Sequence, residues 1–157
     1  MRRLLIVIAL LYAHGAQAGD FEDVVAAYWR KDYATALTKF RSAAKQGNAN
    51  AQAFAGQMYE YGRGVSQDYK EAVRFYRLAA QQGDAEAQHT LGTMYATGKG
   101  VAQDYARAHM WFNTAAINGE VAGVSRDLME EKMSTQQVER AHRMARECMA
   151  SNYTKCN

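Results

Sequence analysis

The chain has 157 residues, enough for one domain. Its 48% hydrophobic and 22% charged residues exclude a disordered chain, and abundant alanine with no proline favours helix. Without residues 1–18, 17 basic residues face 16 acidic ones, so no charge excess points to nucleic acid.

The N-terminus reads as a targeting segment. Arg2 and Arg3 are a positive start, and Leu4 through Ala13 is an apolar run too short to span a bilayer. Ala16-Gln17-Ala18 has the small-x-small pattern that precedes cleavage. The expectation is a signal peptide over 1–18, and a periplasmic or secreted chain with no stable membrane anchor once it is removed. The competing reading is a buried N-terminal helix.

An internal repeat follows. Residues 51–86 align with 87–122 at a constant shift of 36, without a gap. Ala51-Gln52 falls on Ala87-Gln88, Gly56-Gln57-Met58-Tyr59 on Gly92-Thr93-Met94-Tyr95, and Gly62-Arg63-Gly64-Val65 on Gly98-Lys99-Gly100-Val101. Gln67-Asp68-Tyr69 falls on Gln103-Asp104-Tyr105, and Tyr76, Ala79 and Ala80 on Phe112, Ala115 and Ala116. Upstream, Tyr33, Ala36, Phe40, Ala43, Ala44 and Gly47 form a partial copy that lacks the glycine-rich loop. This divides the chain into a degenerate repeat over 19–50, repeats over 51–86 and 87–122, and a capping region with tail over 123–157.

Each repeat reads as two antiparallel helices. Helix A spans about 50–60 and 86–96, capped by Asn48 and Asp84. Helix B spans about 69–82 and 105–118, with Asp68 as its cap and Glu71 placed to complete a capping box. Tyr69, Ala72, Val73, Tyr76, Ala79 and Ala80 share one face by helical spacing. Gly47, Gly83 and Gly119 stand where a left-handed residue ends a helix. Gly56 and Gly92 lie inside helix A, where glycine costs roughly 1 kcal/mol relative to alanine, so their recurrence implies a close approach by another helix. Tyr59, Tyr95, Tyr76 and Phe112 are expected to fill the wider gaps. Residues 121–132 can form a further A-type helix, and Ser134-Thr135-Gln136-Gln137 opens a last one over about 135–150. The fold class is therefore all-α: an α-α superhelix, or solenoid of antiparallel pairs, closed by a C-terminal capping helix.

Cys148 and Cys156 lie near the C-terminus. In an oxidising compartment they can pair, and two free thiols are the other reading. No His or Cys spacing resembles a zinc site, so neither a metal nor a cofactor is expected.

These motifs together resemble the Sel-one-like repeat family, a branch of the tetratricopeptide-like α-solenoids. The resemblance is close over 51–119 and loose over 28–50. Ser66 and Ala102 stand where the family often has proline. The resemblance implies a bacterial scaffold for protein-protein contacts, in envelope or host-interaction roles, with helix A lining the concave surface.

On that surface, helix-A positions that differ between repeats are candidate groove residues: Phe54, Gln57, Tyr61, His89 and Thr93. Phe54 and Tyr61 are aromatic, the type that dominates interface energetics. The expected function is therefore an exported adaptor for a protein or peptide, without catalysis. Two other classes compete. A glycan binder could stack sugars on Trp29 or Trp111, although Trp111 occupies the packing position of Phe75. An envelope amide hydrolase could use Ser42 and Lys45, a Ser-x-x-Lys pair, but the companion Ser-Asp-Asn and Lys-Thr-Gly motifs are missing. Gly62-Arg63-Gly64 and Gly98-Lys99-Gly100 follow helices, so they read as chain reversals rather than phosphate loops. His89, His109 and His142 share no ligand spacing on one helix and read as surface or hydrogen-bonded side chains.

Overall fold

The computed structural model describes residues 23–118 and 120–156. The signal-peptide reading of 1–18 and the helix-ending role of Gly119 lie outside the described residues. Within them there are eight α-helices, one short 3-10 turn and no strand. The helices are α1 (23–29), α2 (Tyr33–Lys45), α3 (Ala49–Tyr61), α4 (Tyr69–Ala80), α5 (Ala85–Thr97), α6 (Tyr105–Ala115), α7 (Glu120–Glu130) and α8 (Thr135–Ala150). Here α3 and α5 are the A helices, and α2, α4 and α6 the B helices. Each helix packs on its neighbour in sequence from α2 to α7, and α8 packs on α6. None of the described helices is long and apolar enough to cross a membrane.

The helix starts follow the capping residues. Asn48 and Asp84 accept the N–H groups of Ala51 and Ala87 at 2.9 and 2.7 Å. Asp68 accepts from Lys70 and Glu71. Ser134 and Gln137 form a reciprocal capping box. The box expected at Glu71 is not made. The Asp68 N–H already donates to the Tyr59 carbonyl at 2.9 Å, so Glu71 has nothing to accept and pairs with Arg74 instead. The B helices also stop earlier than periodicity indicated, at Ala80 and Ala115. After Ala80 the chain turns out at Gly83, whose φ is +88°. After Ala115 it tightens into the 3-10 turn Ala116–Asn118.

The repeated glycines inside helix A have a steric cause. A Cβ at Gly56 would lie 3.0 Å from the Tyr76 ring, and one at Gly92 would lie 2.7 Å from the Phe112 ring. The aromatic of each B helix thus lies directly on the backbone of its A helix. Gly64 and Gly100 serve contacts between repeats. A Cβ there would meet the carbonyl oxygens of Tyr33 and Tyr69, at 2.6 and 2.3 Å. Each loop therefore backs onto the start of the preceding B helix, and φ of +72° and +73° adds a second demand for glycine. The Arg63 and Lys99 N–H groups donate to the carbonyls of Met58 and Met94, which is the work of a chain reversal, not of a phosphate cradle.

Buried glutamines link the repeats. Gln52 and Gln88 each donate from Nε2, at 3.1 Å, to the carbonyls of Ala44 and Ala80 in the preceding B helix. Each of those carbonyls also accepts the N–H of the glycine that ends its B helix, Gly47 or Gly83, so the glutamine of the repeated Ala-Gln pair adds a second donor from the next repeat. Cations at the loops add a second link. Arg63 lies over the Tyr33 ring, Lys99 over Tyr69 and Lys132 over Tyr105, at 5.8, 5.5 and 5.9 Å. At the C-terminal end, Cys148 and Cys156 are joined by a disulfide that ties the tail to the buried side of α8.

Candidate functional site: the outward face of the A helices

Helices α3 and α5 bury one side against the B helices and turn the other outward. On α3 that outward side carries Asn50, Ala53, Gln57 and Tyr61. The same repeat positions on α5 are Glu86, His89, Thr93 and Thr97. Between the two helices lies a groove of about 110 Å³, lined by Asn50, Phe54 and Gln57 from α3 and by Asp84, Glu86 and Ala87 at the start of α5.

The five candidate residues do not play one role. Tyr61 is 58% exposed at the end of α3, with the Arg63 guanidinium 5.3 Å from its ring centre. The Glu60 carboxylate beside it, then burial, raises its pKa above the usual phenol value, so the exposed side chain stays a neutral phenol. Thr93 is also exposed, its hydroxyl donating to the His89 carbonyl at 3.2 Å. His89 is half-buried, its ring against Phe112 at 5.1 Å and its Nε2 3.4 Å from Ser125 Oγ.

Gln57 accepts from the Tyr28 hydroxyl at 2.7 Å, and that hydroxyl in turn accepts from Arg63. Phe54 departs most from the expectation of a free aromatic anchor. It stacks on Phe40 at 4.8 Å with rings 7° from parallel, and Tyr28 meets it edge-on. The first repeat supplies those two rings, so Phe54 contributes to packing and shows only part of its surface to the groove.

Two residues on this face escaped sequence reasoning. Val124 and Leu128, on α7, are 63% and 47% exposed. Ala122 and Met129 are buried on α7 as Ala87 and Met94 are on α5, which sets α7 in register at a shift of 35, not 36. In that register Val124 and Leu128 take the positions of His89 and Thr93. The outward face is aromatic and polar on α3, polar on α5 and apolar on α7. The departure from hydrophobic burial at Val124 and Leu128 could have been found by continuing the repeat into residues 121–130 with a one-residue slip.

The competing sites fare differently. Trp111 is fully buried, which removes it from sugar stacking, whereas Trp29 is 73% exposed. Ser42 and Lys45 are exposed near the end of α2, with no hydrogen bond between them. A third cluster appears only in three dimensions. His109 of α6, Glu130 of α7 and His142 of α8 converge, with His109 Nε2 2.7 Å and His142 Nε2 3.4 Å from the same carboxylate oxygen. Burial lowers the His109 pKa below the ordinary histidine value, against the opposing pull of Glu130.

The stacked helix pairs, with one face left outward, define a repeat scaffold. Comparison with known proteins gives the family. The Sel1 repeat family model matches residues 49–84 and 85–120. The chain belongs to the Sel1-like repeat family. Among solved structures it is similar to a protective antigen present in uropathogenic Escherichia coli strains and displaying an SLR fold. That match has 32% identity and a TM-score of 0.76, over 83% of this chain and 29% of the other. It is also similar to a Sel1 repeat protein from Oxalobacter formigenes, at 38% identity and a TM-score of 0.54, over 55% of this chain and 66% of that one. The chain therefore spans under a third of the first relative and about two thirds of the second. No curated protein matches it. Sel1 repeats generally mediate protein-protein interaction and are generally non-catalytic scaffolds.

Proposed function

We propose that the chain is an exported adaptor, periplasmic or secreted, that binds a protein or peptide through the outward face of α3, α5 and α7 and catalyses no reaction. The observation that carries this reading is the make-up of that face. Its exposed residues change from repeat to repeat while buried ones recur: Ala51, Met58 and Tyr59 return as Ala87, Met94 and Tyr95, all buried. Packing constrains the buried set; Tyr61, Thr93, Val124 and Leu128 are free of that constraint. Tyr61, Val124 and Leu128 offer one aromatic and two aliphatic anchors, the kind that gain from desolvation at an interface. Export rests on the Arg2-Arg3, Leu4–Ala13 and Ala16-Gln17-Ala18 pattern.

The test is affinity capture from envelope and culture extracts with wild type, with Thr93→Arg and with Leu128→Glu. These two positions are exposed, so neither substitution disturbs the core. A protein held by wild type and lost by both folded variants supports the reading. A protein held equally by all three places the interface elsewhere.

Trp29 keeps a glycan-binding reading open as a second function, because an exposed indole is a surface on which a sugar ring stacks. Retention on insoluble cell wall that is lost in Trp29→Ala would favour it.

A further inference from the structure

We infer that His109, Glu130 and His142 form a binding site for a divalent transition metal, with zinc the best fit, which clamps the capping helices onto the last repeat. This goes beyond the partner-binding reading and is independent of it.

The argument starts from the repeat. The position of His109 is Leu37 in the first repeat and Val73 in the second, both buried aliphatic side chains. Only in the last repeat, where α7 and α8 close the stack, does an imidazole replace them, and it is fully buried. A buried imidazole in an aliphatic position is costly unless its nitrogens are used. Its Nε2 meets Glu130 Oε1 at 2.7 Å, and the same oxygen lies 3.4 Å from His142 Nε2. The two imidazoles stand nearly perpendicular, with ring centres 4.8 Å apart. One carboxylate oxygen therefore lies between two imidazole nitrogens supplied by two other helices.

The donor set selects the ligand. Two imidazoles and one carboxylate suit zinc and its first-row neighbours, whereas calcium and magnesium require oxygen. In a tetrahedral zinc site the donors stand about 3.3 Å apart, from bonds of about 2.0–2.1 Å. Here all three donor atoms lie within 4.8 Å of one another. His142 and Glu130 have side chains 45% and 36% exposed, so they can close the remaining gap while buried His109 stays fixed. That exposure also leaves a fourth position open to water. Both cysteines are in the disulfide, so no thiolate competes for the ion.

The surroundings set the electrostatic conditions. Arg126 acts on His109 as a nearby positive charge, but its guanidinium is held by Asp127 at 2.6 Å. Metal on His109 Nε2 requires that nitrogen to give up its proton and Nδ1 to carry one. Nδ1 is buried without a hydrogen-bond partner, so the site lacks the outer carbonyl or carboxylate that usually orients a ligating histidine. Binding should therefore be weaker than in a fully supported zinc centre.

The experiment is a zinc titration of the tag-free oxidised chain after chelator treatment, by calorimetry, with the visible spectrum of cobalt as a second readout. Wild type should bind one ion per chain, show cobalt d–d absorption and gain thermal stability with zinc. His142→Ala and Glu130→Gln, checked for fold by circular dichroism, should each lose about tenfold or more in affinity. Glu147→Gln, an exposed carboxylate of α8 outside the cluster, should match wild type. No saturable binding by wild type, or equal affinity in His142→Ala, overturns the inference.

Discussion

Replacing Gly92 with alanine and replacing Gly123 with alanine should change stability in opposite directions. Both glycines lie inside helices, α5 and α7, and each substitution removes the same entropic penalty, worth about 0.5–1 kcal/mol in favour of alanine. The surroundings then decide. A Cβ at Gly123 meets nothing within 4 Å, so the full gain should appear. A Cβ at Gly92 would lie 2.7 Å from Phe112 Cδ1 and Cε1, about 1 Å inside the usual contact distance between carbons. Phe112 is buried, and its ring carries His89 against its side, so it has little room to withdraw. Overpacking of this kind costs about 1–3 kcal/mol, which outweighs the propensity gain. For a chain of this size, a net loss of about 1–2 kcal/mol lowers Tm by about 2–8 °C, while Gly123→Ala raises it by about 1–4 °C. Thermal and urea unfolding followed by circular dichroism measure both. A Gly92→Ala variant as stable as wild type would refute the claim that the Phe112 ring dictates glycine at that position.

The cation over the first loop tyrosines should matter unequally: Arg63→Ala, which removes contacts to Tyr28, Tyr33 and Tyr61, should cost about 1–2 kcal/mol, and Lys99→Ala, which removes one ring contact, about 0.5 kcal/mol in urea unfolding. Tyr76→Phe breaks the 2.7 Å bond from the phenol to Glu60 and should cost about 1–2 kcal/mol; an unchanged unfolding midpoint would mean that water replaces Glu60 without loss. Replacing Cys148 and Cys156 together by alanine opens a loop of sequence separation 8, and the chain-entropy model sets the loss at about 2–3 kcal/mol. Reductant should lower the unfolding midpoint of wild type and leave that double variant unmoved; a wild type indifferent to reductant would contradict it.

The repeat made most of the fold legible. Gly56 and Gly92 signalled a close approach before the approaching groups, Tyr76 and Phe112, were known to be rings on the backbone itself. Asn48, Asp84 and Ser134 fixed helix starts because a side-chain cap is a local interaction. Glu71 failed as half of a capping box because its target N–H was already taken by Tyr59, a residue nine positions upstream of Asp68 that local pattern does not consider. The site was less legible for the same reason. Phe54 does line the groove, but its difference from Thr90 also answers to Phe40 and Tyr28 of the degenerate repeat, which local pattern does not show. Val124 and Leu128 were hidden by a slip of one residue in register. His109, Glu130 and His142 carry no spacing signal, since three separate helices bring them together; the one sequence trace was a histidine at the position of Leu37 and Val73.

The most direct test of the account is photo-crosslinking from the two sides of the solenoid. A photoreactive phenylalanine analogue is placed at Thr93, on the outward face of α5, or at Arg74, on the exposed side of α4, and the chain is irradiated in envelope and culture extracts. An adaptor working through its A-helix face should yield a discrete protein adduct from position 93 and none from position 74. The same adduct from position 74 with none from position 93, or no adduct from either, would contradict it.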